Sequence, residues 1–139
     1  MDWEECKDKR LVKEVREDKE LIKSLIASSE KKLKTNERIG LDKTTSSTKV
    51  SIAYEALREV LEAIAIKNGF KVYNHECFCS FLREVIKDDI SSQEFDIFRR
   101  MRNQINYYGK DIELEEAKNI IKEITLLRSK IINKYLKKE

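Results

Sequence analysis

Ser47–Asn68, STKVSIAYEALREVLEAIAIKN, decides the fold. Val50, Ala53, Tyr54, Leu57, Val60, Leu61, Ile64 and Ala65 recur at steps of three and four, the spacing that lines up one face of an α-helix. The seam runs the length of the segment without a break. This predicts a central core helix, against which the rest of the chain must pack.

Working outward, the downstream sequence repeats the same period. Asn74 is a good N-cap for a third helix reaching about Lys87, with Phe78, Phe81, Leu82 and Val85 inward. Asp88-Asp89 break the pattern. Ser91 or Ser92 is expected to cap a fourth helix that ends at Gly109, with Glu94 and Asp96 in its first turns, where the helix dipole favours negative charge. A fifth helix is predicted from about Glu113 to Leu136 on the seam Leu114, Ala117, Ile120, Ile121, Ile124, Leu127 and Ile131. Upstream, Leu41–Ser47 is a polar linker. Before it, Leu11, Val15, Ile22, Leu25, Ser29 and Leu33 mark one long helix over Asp2–Ile39, with a break near Ser28-Ser29. Proline is absent. The three glycines, Gly40, Gly69 and Gly109, each follow a periodic segment, where a helix C-terminus favours glycine. No stretch alternates with period two. The expectation is an all-α, antiparallel up-and-down bundle of about five helices, with short connections between helices two, three and four. It forms one domain over 1–139, with a long N-terminal helix over 1–39 and a bundle core over 47–138.

Composition bounds the function. The 139 residues are 40% apolar and 40% charged, and 29 basic against 26 acidic side chains leave a net charge of +3. That excess is too small to argue nucleic-acid binding by itself. No apolar run approaches the roughly 18 residues of a membrane span. The charged start MDWEECKDKR does not read as a signal peptide, so a cytoplasmic protein without a membrane partner is expected. Cys6, Cys77 and Cys79 are odd in number and do not read as a disulfide framework. Cys77-Phe-Cys79 has one intervening residue instead of the two to four of structural zinc sites, so it reads as two half-buried thiols despite the nearby His75, and no metal or cofactor is expected.

The stretch that suggests a site is Phe95–Gly109, FDIFRRMRNQINYYG. Phe95, Phe98, Arg102 and Ile105 share a helix face, which sets Arg102 along an apolar stripe. A cation there needs a carboxylate, a phosphate or a polar pocket. Asn106 lies one turn on, and Asn103 and Tyr107 form an adjacent i, i+4 pair.

From Ser47 to Leu136 the order of long helices, NGFKVYNHECFCSFLREV and then FRRMRNQINYYG, resembles the HEPN family. Arg102-Asn103 matches the first two positions of that family's Arg-Asn-x-x-x-His motif, and Tyr107 stands where the family has histidine. The resemblance implies a helical bundle that dimerises through the motif helices. It also implies RNA or nucleotide binding, and a minimal nucleotidyltransferase as partner in a toxin–antitoxin arrangement. Many such proteins are metal-independent ribonucleases, which would make Arg102, Asn103 and Tyr107 the catalytic set here. A tyrosine, with an ordinary pKa of about 10, is a poor substitute for an imidazole of about 6.5, so a non-catalytic member is the favoured reading. The expected binding residues are Arg99, Arg100, Arg102, Asn103, Asn106 and Tyr108.

Plainer readings stand beside these. Arg99 and Arg100 make a solvated face or line a phosphate cleft. Tyr107 and Tyr108 close the core at the helix end or stack on a base. His75 is a first-turn residue, or it supplies the missing imidazole if its helix start packs near Arg102. Trp3 is a dimer anchor or a frayed end, and Lys130–Lys138 a solvated tail. A purely structural adaptor is the third class of function.

Overall fold

The computed structural model describes residues 1–136. Its described residues form six α-helices and one two-stranded ribbon, an all-α bundle. The central helix is α3 (Ser46–Lys67), as its seam predicts, with Val50, Tyr54, Leu57, Leu61 and Ile64 almost wholly buried. Long helices α2 (Lys19–Arg38) and α6 (Leu114–Tyr135) pack against α3. Helix α5 (Asp89–Tyr108) lies across α3 and the short α4 (His75–Ser80).

The chain start departs from the single long helix. Helix α1 covers only Trp3–Asp8, held by a capping box in which Asp2 and Glu5 satisfy each other's backbone N–H groups. At Arg10 the backbone turns left-handed, at φ 58°, and ends the helix. Strand β1 (Val12–Glu14) then pairs antiparallel with β2 (Phe70–Val72), Val12 opposite Val72. Each strand has three residues, too few to show alternation. Helix α2 starts only at Lys19, capped by Asp18, whose side chain accepts from Leu21 N.

This fold-back buries the apolar residues that a forty-residue helix would have left over. Trp3 is neither frayed nor exposed: its ring meets Phe70 edge-on at 5.1 Å and Phe81 at 5.8 Å. The cysteine reading is corrected as well. Cys6 and Cys77 form a disulfide that ties α1 to α4, while Cys79 is a buried free thiol.

The other boundaries follow the sequence closely, with local exceptions. Asp88, not Ser91 or Ser92, caps α5, its carboxylate taking Ser91 N at 3.1 Å and Ser91 Oγ at 2.8 Å. The helix that begins at His75 changes pitch, so that Phe81–Val85 is a π-helical turn. Gly109, at φ 63°, supplies the left-handed residue that closes α5, and Gly69, at φ 90°, follows α3 in the same way. Gly40 does not: its φ is not positive. Instead the buried Lys49 ammonium donates to the carbonyls of Asn36 and Ile39 and so caps the end of α2. Lys137 and Lys138 of the predicted basic tail lie outside the described residues.

Candidate functional site

The aromatic core beneath α5 sets the floor of a polar pocket. Tyr54, at the middle of α3, stacks on Phe95 of α5 at 5.5 Å, and Phe78 of α4 meets Phe95 edge-on at 6.1 Å. Tyr54 is fully buried, and a buried tyrosine hydroxyl needs a partner. It finds His75 Nδ1 at 2.9 Å. Asn74 caps α4 by accepting from Glu76 N, which fixes the first turn and therefore the imidazole.

Arg102 arrives from α5 one turn beyond Phe98. Its guanidinium carbon lies 5.7 Å from the centre of the Tyr54 ring and 5.9 Å from that of Tyr107. These are cation–π distances. Such contacts use the faces of a planar cation and leave its N–H edges for acceptors. Among the described residues the guanidinium has only a long bond to Asn103 Oδ1, at 3.5 Å, and its buried Nε has no acceptor. It makes no ion pair with a carboxylate of the described residues. The helix face inferred from Phe95, Phe98 and Arg102 is therefore present, and the demand for a partner it raised is unmet among the described residues.

The resulting cavity measures about 360 Å³. Tyr73, Asn74, His75 and Glu76 line it from the end of β2 and the start of α4; Arg99, Arg102, Asn103 and Tyr107 line it from α5. The expected site residues thus separate. Arg102, Asn103 and Tyr107 meet in one pocket, and His75 joins them from another helix. Arg99 is on its edge, but its guanidinium is turned to Asp96 at 2.7 Å, and Arg100 binds the same carboxylate at 2.9 Å. Asp96 therefore already holds both charges expected to line a basic cleft. Asn106 and Tyr108 are exposed and do not line the pocket. Nor do Tyr107 and Tyr108 close the core, with 68% and 83% of their surface exposed.

Electrostatics sharpen the arrangement. Burial, and then the positive charge of Arg102, push the His75 imidazole down to about 4, so it is neutral at neutral pH. Burial raises Tyr54 well above an ordinary phenol, outweighing the opposite pull of Arg102, so its hydroxyl keeps its proton. Glu76 and Arg99 also line the cavity, but Glu76 is paired with the Met1 ammonium at 3.3 Å and Arg99 with Asp96. Two neutral groups and one cation are thus left to meet a ligand, a combination that favours an anion. The Cys79 thiol, whose Sγ lies 3.5 Å from Asp96 Oδ1, is pushed up to about 12 by burial and that carboxylate, and is no nucleophile.

Sequence reading took Tyr54 as core and did not single out Tyr73. A tyrosine inside an otherwise aliphatic seam is the signal for the first, because its hydroxyl has to be answered from another element. Nothing in the sequence singles out Tyr73, which reaches the pocket through the β-ribbon.

The fold and pocket define a helical-bundle protein with an uncompensated arginine beside a neutral histidine. No family model matches the chain, and no curated protein or solved structure does.

Proposed function

We propose that this chain is a HEPN-type binding module that holds a phosphate of RNA or of a nucleotide at Arg102, with Asn103 beside it. The observation that carries the reading is the Arg102 guanidinium, 5.7 and 5.9 Å from the centres of two tyrosine rings, with an orphaned Nε and no carboxylate partner among the described residues. Arginine suits phosphate because its planar fork donates two parallel hydrogen bonds. Fluorescence anisotropy with a labelled single-stranded oligoribonucleotide tests this. Arg102→Ala should weaken binding at least about tenfold, a loss expected for one charge-assisted contact; unchanged affinity contradicts it.

Pairing of two copies belongs to the same reading. Ile90, Ile97 and Tyr108, spaced to share one side of α5, are 67%, 61% and 83% exposed. This stripe supports a homodimer through the helix that carries the motif. Light scattering of wild type and Ile97→Lys measures it, with a monomeric wild type as the contrary result. A minimal nucleotidyltransferase as partner rests on the family resemblance and is tested by co-purification.

A second reading, a metal-independent ribonuclease, gains support from His75. Its Nδ1 is engaged by Tyr54, and Nε2 has no partner among the described residues. That leaves an imidazole nitrogen for proton transfer beside an arginine suited to phosphate. RNA cleavage that persists in chelator and disappears in both His75→Gln and Arg102→Ala would select this reading over simple binding.

A further inference from the structure

The anion reading leaves the rim of the pocket unused. Tyr73 and Tyr107 line the same cavity as Arg102, and they are 58% and 68% exposed. Their backbones are fixed: Tyr73 N donates to Leu11 O at 2.8 Å at the end of the β-ribbon, and Tyr107 lies in the last turn of α5, ahead of the Gly109 cap. Bare rings on anchored backbone lose little freedom when a flat partner settles on them. One face of Tyr107 is already turned to the Arg102 guanidinium, which ties the ring's orientation to the anion site.

We propose that the pocket takes an unpaired nucleotide, its phosphate on Arg102 and its base stacked on the exposed rings of Tyr107 and Tyr73. This rests on the phosphate reading above and adds the base to it. The cavity, about 360 Å³, is within the range of small-ligand sites. The polar groups at its floor, Asn103 and His75, bind phosphate or sugar, whereas a stacking ring accepts any base. The ligand is therefore selected for being single-stranded, because a base held in a duplex has no free face to offer. Sequence preference is weak.

Calorimetric titration with three probes tests this: inorganic phosphate, ribose 5-phosphate and adenosine 5′-monophosphate. The monophosphate should bind about tenfold tighter than ribose 5-phosphate, the scale of one base–aromatic stack. Tyr73→Leu should reduce that advantage while leaving ribose 5-phosphate unchanged. Tyr107→Leu, whose ring also faces Arg102, should weaken both ligands and the monophosphate more. The Phe variants should keep the advantage. Both positions are exposed, so the variants are expected to fold, which circular dichroism checks. Equal affinity for the monophosphate and ribose 5-phosphate overturns the stacking alone. Failure of all three probes to bind, together with an oligoribonucleotide, overturns the phosphate reading as well. A single-stranded tetraribonucleotide that binds tighter than the monophosphate, while its duplex does not, assigns the site to RNA; the reverse order assigns it to free nucleotide.

Discussion

Arg128 and Arg102 are both arginines on the inward side of a long helix, and their surroundings are opposite. Arg128 on α6 is 5% exposed, with Nε on Ser29 Oγ at 2.7 Å and a terminal nitrogen on Glu30 at 3.1 Å. Ser29 in turn donates to the carbonyl of Ala56 at 2.6 Å, so one chain of bonds joins α2, α3 and α6. Arg102 on α5 has two aromatic faces and a distant amide. One guanidinium is spent inside the bundle and holds it together. The other is oriented by the bundle and left open. The difference separates structural from ligand-seeking arginines more cleanly than their position on a helix does.

Removing each in turn is the strongest way to break this contrast. Arg128→Met should lower unfolding free energy by roughly 1.5–3 kcal/mol, because it removes a buried charge-assisted hydrogen bond to Ser29, while Glu30, 52% exposed, is left to water. Arg102→Met should change it by less than about 1 kcal/mol, since only two long cation–π contacts and a distant amide are lost and an orphaned Nε is relieved. Urea unfolding of both variants measures this. Comparable losses would make Arg102 a structural residue.

A pH series is the next test. The unfolded chain protonates His75 near pH 6.5, whereas the native imidazole, at about 4, stays neutral. Between those values the unfolded state binds more protons, so stability falls as pH drops from 6.5 to 4 and levels off below. The loss is at most about 3 kcal/mol. Burial favours protonated Asp88 and Asp96, but hydrogen bonds from Tyr135 and Arg99 prevail and hold both carboxyls below 3.8. Their stabilisation is lost only at lower pH, outside this window. Against the effect of burial, Lys71 and Arg58 hold Glu62 below 4.5, which adds its own slope near the acid end. His75→Gln should therefore remove the slope between pH 6.5 and about 5.5; a slope that survives there places it elsewhere.

Arg100 gives the smallest effect. Its side chain is 73% exposed, so Arg100→Ala should cost no more than about 0.5 kcal/mol of stability. It should also weaken RNA binding less than Arg102→Ala does, since Asp96 already shares its charge. A larger loss from Arg100 would move the anion site to the outer face of α5.

The legible parts of the fold were those written in a long single period. Helices α3 and α6 lie within a few residues of their predicted bounds, because a seam of eight or seven apolar residues admits one reading, and α5 does so because Gly109 marks its end. The chain start was misread for a physical reason. Leu11 and Val15 fit a helical stripe with Ile22 and Leu25, and the break falls at Arg10, a residue type that gives no warning of a left-handed turn. The Cys6–Cys77 pair is 71 residues apart and follows from tertiary folding alone. The site was half legible. Arg102 on the Phe95–Phe98 face declared itself through the conflict between its charge and its neighbours. Its companions His75 and Tyr54 come from other helices, and their meeting depends on where the start of α4 docks.

The most direct measurement uses the single histidine of the chain. The His75 imidazole is followed by nuclear magnetic resonance while inorganic phosphate is added, and its titration is repeated at saturation. Phosphate on Arg102 should produce a saturable shift and raise the imidazole from about 4, because it cancels the charge that, after burial, does most to hold it down. An imidazole that ignores phosphate, or responds equally in Arg102→Gln, would contradict the assignment of this pocket as an anion site.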